Sequence, residues 1–209
     1  RRRCPRLLAT RTGRRLPGVN VRDSGGARPA AEWPAPATPF HPAMATASSD
    51  PASARVALVI GAGDSTGGAI AKRFAREGYV ACVTRRTADK LQPLVDDIRA
   101  AGGQAHGFAS DARKEEDVVA LVEQIERDIG PIEVLVFNIG ANVPCSILDE
   151  TARKYFKIWE MACFSGFLTS QAVARRMVTR GRGTILFTGA TAGLRGAAGF
   201  AAFAGAKHG

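Results

Sequence analysis

From Arg55 onward, short apolar runs alternate with amphipathic stretches of helical period, and this alternation restricts the fold more than any other feature. "VALVI" (56–60), "YVACVT" (79–84), "QAHGFAS" (104–110), "IEVLVFN" (132–138) and "GTILFT" (183–188) are strand-length and mostly rich in β-branched or aromatic residues. The stretches between them have the period of helices. "KEEDVVALVEQIERDIG" places Val118, Leu121, Val122, Ile125 and Ile129 on one face. The other expected helices run through Ala69, Phe74 and Arg76 to Gly78, over 88–103, over about Lys154–Val178 as one long helix, and from Ala201. Strands separated by helices pair in parallel, and strands that are apolar on both faces need helices on both sides. The expected fold is therefore α/β, a doubly wound parallel sheet, with ligands at the carboxyl ends of the strands.

The remaining sequence reads differently. Residues 1–54 hold most of the prolines and show neither period, which predicts a disordered, basic, Pro/Ala-rich tail. The net charge of +10 is concentrated there: nine Arg against Asp23 and Glu32 precede Met44. Basicity thus says little about the domain at 55–209. Three origins fit the tail: an Arg-rich, acid-free organelle transit peptide, upstream sequence before a true start at Met44, or a nucleic-acid-binding arm. The arginines lack interleaved aromatics, so no nucleic-acid partner is expected. No stretch of 18 apolar residues predicts a membrane span. Cys4, Cys82, Cys145 and Cys163 have no metal-ligand spacing, and His41, His106 and His208 form no cluster with carboxylates, so no metal is expected. Cys82 and Cys163 read as buried free thiols, which fits a reducing compartment, cytoplasmic or, with a transit peptide, mitochondrial.

"GAGDSTGGAIA" joins the first strand to its helix. Glycines there allow a tight turn and close approach of backbone to a pyrophosphate whose charge sits at the helix N-terminus. Gly61, Gly63 and Gly67 are the candidate positions, and the Ser65 hydroxyl is a candidate phosphate contact. The second strand ends "CVTRRT". An acid at that point would accept bonds from a ribose and repel a 2′-phosphate. Arg85 and Arg86 would do the opposite, so the sequence favours NADP(H) over NAD(H).

These elements together resemble the short-chain dehydrogenase/reductase family over Arg55–Lys207, which implies a Rossmann-like sheet, here C-terminally incomplete. The family's Gly-x-x-x-Gly-x-Gly turn falls on Gly61, Ser65 and Gly67, with Ser in place of the middle glycine. The resemblance implies that Asp111 in "SDA" contacts adenine. In "FNIG", Asn138 and Gly140 match the family's Asn-Asn-Ala-Gly element, with Phe137 in place of its first Asn. Asn138 also reads as a strand-end cap.

The same resemblance implies an Asn-Ser-Tyr-Lys catalytic set, in which Tyr exchanges a proton with the substrate oxygen. Here "FAGAK" puts Phe203 at the Tyr position and Lys207 at the Lys. Ala190 stands for the Ser and Ala162 for the Asn. Candidate catalytic residues are Lys207, which also holds the nicotinamide ribose, and Thr191, beside the vacant Ser position. Two functions follow: an NADP(H)-dependent oxidoreductase acting on a carbonyl, alcohol or activated double bond of a small molecule, or a non-catalytic dinucleotide-binding pseudoenzyme or sensor. Family members continue through further strands and a substrate lid. Without these the fifth strand is expected to be an apolar edge, and the 209-residue chain to be poorly soluble or partly unfolded. A homo-oligomer is expected of the full-length protein.

Overall fold

The structure, a computed structural model, describes residues 54–209. The basic tail, with its three candidate origins, lies outside the described residues apart from Ala54. Five strands form one parallel sheet: β1 (Val56–Ile60), β2 (Val80–Arg85), β3 (Gln104–Ala109), β4 (Ile132–Phe137) and β5 (Thr184–Phe187). Their spatial order is β3-β2-β1-β4-β5. The chain winds outward from β1 to β3, then returns to lay β4 on the other side of β1. The carboxyl ends of β1 and β4 therefore flank the point where the winding reverses, where such sheets open a crevice.

β1 shows why this sheet has two covered faces. All five of its residues are buried. Val56, Leu58 and Ile60 pack with Val118, Leu121, Ile125, Val173 and Met177, which come from α3 (Glu115–Asp128) and α5 (Ser165–Arg180). Ala57 and Val59 pack on the other face with Ala71, Ala75, Val95 and Ile98, from α1 (Thr66–Arg76) and α2 (Gln92–Ala100). The strand period of two thus divides one run of apolar residues between two cores. The fold is doubly wound α/β, as the alternation of elements predicts. No helix among the described residues is long and apolar enough to cross a membrane.

Three details depart from expectation. The helix expected over 88–103 begins as a 3-10 turn at Ala88–Leu91, and α2 follows with Pro93 in its first turn, where a missing N–H costs nothing. The long helix expected over 154–178 is divided into α4 (Ala152–Trp159), a π turn at Glu160–Phe164, and α5. The π turn accommodates one extra residue by i→i+5 bonding. It brings Trp159 over Phe164, five positions on, with ring centroids 5.9 Å apart and planes 20° from parallel. Cys163 lies in that turn and is half-buried rather than buried, whereas Cys82 on β2 is fully enclosed and burial pushes its thiol pKa up to about 12. Helix α6 (Ala201–His208) closes the described chain.

Gly67, in the first turn of α1, is buried against the turn that precedes it. A Cβ there would stand 2.5 Å from the Gly61 carbonyl oxygen and 2.8 Å from the Ala62 Cα. Replacing a helical Gly by Ala ordinarily stabilises by up to ~1 kcal/mol. At this position the added methyl meets backbone, so Gly67→Ala is predicted to destabilise by ~1–3 kcal/mol. Urea unfolding checks this, and a stabilised variant contradicts it. At the other side of the sheet β5 pairs, among the described residues, with β4 alone, and its Leu186 and Phe187 are exposed at 44% and 58%. An open, apolar edge templates pairing with another chain. Leu186→Lys is predicted to reduce concentration-dependent association of this chain, read by light scattering, and unchanged scattering contradicts it.

Candidate functional site

The turn between β1 and α1 is held by backbone. The Gly61 and Ala62 amides both donate to the Thr84 carbonyl at the end of β2, at 3.2 and 3.1 Å. Gly61 has a φ of +83°, and a Cβ on it would also meet Ile139 Cγ1 at 2.8 Å. Asn138 locks the turn from the other side. Its amide donates to the Ile60 carbonyl at 2.9 Å, and its side-chain Nδ2 donates to the Gly61 carbonyl at 3.1 Å. The strand-end capping role read from sequence is therefore the geometry observed. Ser65 stands at the N-cap of α1 but makes no side-chain cap bond, and the first turn contains no acid. The positive end of this helix thus has neither a side-chain cap nor a first-turn acid, although the Gly68 amide donates to the Gly63 carbonyl at 2.9 Å.

Beyond the turn, the carboxyl ends of β1, β2, β3 and β4 frame a cleft of about 330 Å³. Gly61, Arg85, Arg86, Asp111, Asn138 and Gly140 line it, so it gathers six of the ten residues expected to hold cofactor. Arg85 Nη1 lies 3.5 Å from Asp64 Oδ1 and 3.4 Å from the Lys90 carbonyl. Arg86 is exposed and forms no ion pair among the described residues. Asp111 is engaged by Arg113, which donates to it from its backbone amide, Nε and Nη2. The guanidinium bond, with smaller help from the backbone amide and nearby charge, holds the Asp111 carboxyl at about 2, against the cost of burial. Arg113 Nη1 also faces Glu160 of the π turn at 3.9 Å. The Ser110 hydroxyl is buried in the cleft wall with no hydrogen-bond partner among the described residues.

Lys207, on α6, lies against Gly140 at the edge of the cleft. Its Nζ donates to the Ile139 and Thr188 carbonyls, each at 2.9 Å, and so clamps the segments that follow β4 and β5. Burial lowers its pKa below the ordinary lysine range. Gly140 is the neighbour that leaves it room, since a Cβ there would stand 3.3 Å from Nζ and 3.7 Å from the Phe203 ring. Phe203 therefore lies beside Lys207 at the mouth of the cleft and supplies an apolar edge. Ala190 precedes the 3-10 turn Thr191–Gly193, and Ala162 is buried in the π turn. Thr191 is exposed, and its carbonyl accepts the Leu194 and Arg195 amides.

Neither tyrosine takes the place of Phe203. Tyr79 precedes β2 at the opposite end of the sheet, edge-on to Phe74 and under the Arg55 guanidinium. Tyr155 on α4 packs its hydroxyl against Gly205, about half a turn around α6 from Phe203 and Lys207. Gly63, Ser65, Gly67, Thr191 and Lys207 do not line the main cleft: Gly63 and Ser65 sit on the open side of the turn, and Gly67 beneath it. Sequence reasoning missed Thr84, Ser110, Arg113 and Met161 in the lining. Arg113 had a signal, a base two residues after Asp111 in "SDAR". Met161 had none without the π turn that places it.

These features fit a nicotinamide dinucleotide: a glycine turn free of bulk, a helix N-terminus without a side-chain cap, two arginines at the end of β2, and an orphaned hydroxyl in the cleft wall. Comparison with known proteins agrees. The family model for short chain dehydrogenase matches residues 55–209. A short-chain dehydrogenase structure from Rhodopseudomonas palustris is 50% identical, with a TM-score of 0.69 over 75% of this chain and 73% of that one. A variant of actinorhodin polyketide ketoreductase with NADPH is 30% identical, with a TM-score of 0.72 over 75% and 60%. A 7α-hydroxysteroid dehydrogenase complexed with NADH and 7-oxo glycochenodeoxycholic acid is also 30% identical, with a TM-score of 0.70 over 75% and 61%. The chain spans 59% and 64% of the length of two curated relatives that it matches at 30% identity. This chain belongs to the short-chain dehydrogenase family of oxidoreductases.

Proposed function

We propose that the chain is an NADP(H)-dependent oxidoreductase acting on a carbonyl, alcohol or activated double bond of a small molecule. The observation that carries this reading is that Gly61 of the glycine turn, both arginines, Asp111, Asn138 and Gly140 line one cleft at the reversal point of the sheet, next to the turn that leads into α1. Bound there, a nicotinamide dinucleotide supplies a hydride donor or acceptor. The turn at Gly61–Gly67 and the first-turn amides of α1 would hold the diphosphate, with the Ser65 hydroxyl beside them. Arg86 and Arg85 would meet a 2′-phosphate, because guanidinium matches phosphate in charge and shape. Asp111 would face the adenine with an oxygen lone pair left by Arg113. Asn138 and Gly140 would keep the turn and the strand end in place. Solved relatives carry either NADPH or NADH, so the arginines are what support the phosphorylated form.

At the reacting end, Lys207 has three N–H donors and gives two to main-chain carbonyls. The third can bind a nicotinamide ribose hydroxyl or a substrate oxygen. Its lowered pKa makes Nζ a proton source nearer to neutrality than an ordinary lysine. Thr191, next to Ala190 at the vacant Ser position, is the hydroxyl we assign to polarising a substrate oxygen, and proton delivery otherwise falls to water. Free thiols at Cys82, Cys145 and Cys163 support a reducing, cytoplasmic compartment. Phe156, Trp159, Phe164 and Phe167 form a continuous row, ring to ring, along α4, the π turn and α5. With Phe156 and Phe167 more than half exposed, that row supports self-association.

Titration with NADPH and NADH, followed by turnover on a panel of carbonyl compounds, tests the reading. NADPH is predicted to bind with saturation. Arg86→Gln is predicted to weaken it about tenfold, by loss of a charged contact, while changing NADH binding by less than about twofold. Equal losses for both nucleotides contradict the phosphate assignment. Binding without turnover, unaffected by Thr191→Ala, removes the enzyme reading and leaves a non-catalytic nucleotide-binding protein. For assembly, Phe156→Ser with Phe167→Ser is predicted to shift sedimentation toward the monomer, and a wild-type monomer at all concentrations contradicts the self-association reading.

A further inference from the structure

Asp64 stands on the glycine turn, outside the cleft lining, with its side chain 92% exposed. The fold makes no evident use of it. It is not the N-cap of α1, which is Ser65, and among the described residues its carboxylate contacts one charged group, Arg85 Nη1 at 3.5 Å. That contact crosses the mouth of the cleft, from the end of β1 to the end of β2. Arg85 is also held at its Nη1 by the Lys90 carbonyl at 3.4 Å. Arg86, one residue on, has no such restraint among the described residues. Deeper in the cleft, Asp111 and Glu160 offset Arg113, so that cluster adds little to discrimination at the mouth.

We infer that Asp64 is a specificity-determining residue that weakens the preference for a 2′-phosphorylated dinucleotide by occupying Arg85 and repelling the phosphate. The inference rests on the cofactor reading above. An unphosphorylated dinucleotide has no charge at the 2′ position, and any effect of Asp64 on the diphosphate, which both nucleotides carry, cancels in their ratio. A 2′-phosphate must displace the carboxylate from Arg85 and then tolerate it nearby. An exposed, long ion pair is weak and yields to a dianion, so the preference is reduced rather than reversed. Arg86 then provides most of the discrimination, and Arg85 is the adjustable part.

The test is the ratio of Kd for NADH to Kd for NADPH, measured on the full chain and on Asp64→Asn. The substitution keeps the size of the side chain and removes its charge. The ratio is expected to rise about two- to fivefold, the scale of an exposed pair, through a gain in NADPH binding larger than any change in NADH binding. The gain is expected to shrink at 1 M salt, where such charges are screened. A ratio that is unchanged or lower in Asp64→Asn overturns the inference while leaving the cofactor reading intact, and so does a gain that persists undiminished at 1 M salt. Wild-type protein that binds neither nucleotide overturns the cofactor reading itself, and the inference with it.

Discussion

The cleft depends on how closely two pieces of backbone approach each other. The first turn of α1 lies directly on the Gly61 carbonyl because Gly67 has no side chain. Asn138 then donates to that same carbonyl from the β4 side, and Thr84 accepts two amides of the turn from the β2 side. Three strands and one helix are thereby fixed around a turn that contains no bulk. The two arginines and the strand-end residues face one space beside the helix end because this turn is short and immobilised at both sides. Lengthen it or fill it, and the same residues would frame a loop rather than a binding cleft.

The two halves of the site differ in what they retain. Around the ends of β2 and β3, where we propose the adenosine lies, charge is abundant and organised into pairs of graded strength: Asp111 with Arg113 close and partly shielded, Asp64 with Arg85 long and exposed, and Arg86 without an ion-pair partner among the described residues. At the reacting half, three of the four positions that the family resemblance marks for catalysis carry Phe203, Ala190 and Ala162, none of which can exchange a proton. Lys207 remains, tied to two carbonyls next to an aromatic ring. Burial is the physical reason its ammonium form is disfavoured.

The regular part of this architecture was legible because its period is local. Each observed strand lies within one residue of the run that predicted it, since continuous apolar residues between turn-formers leave few other options. The π turn was not foreseen, although the aromatics carry its trace: Phe156, Trp159, Phe164 and Phe167 are spaced by three, five and three, and a step of five stays on one face only if a residue is inserted. Cys163 was misjudged for the same reason, as the inserted turn rotates it away from full burial. Within the site, glycines and strand-end residues could be placed from the order of elements alone. The pairings could not. That Arg113 engages Asp111, that Asp64 reaches Arg85, and that Tyr155 faces away from Lys207 are products of side-chain direction and tertiary contact. The neighbouring sequence does not encode them in any readable pattern.

The central claim is that the turn after β1 seats a diphosphate against the N-terminus of α1. Amide hydrogen exchange with and without saturating NADPH addresses it directly. Slowed exchange is predicted in the peptide spanning residues 61–68 and in that containing Arg85 and Arg86, with the remote ends of α2 and α3 unaffected. Saturable binding that leaves exchange at 61–68 unchanged would contradict the account, because the nucleotide would then be held somewhere else.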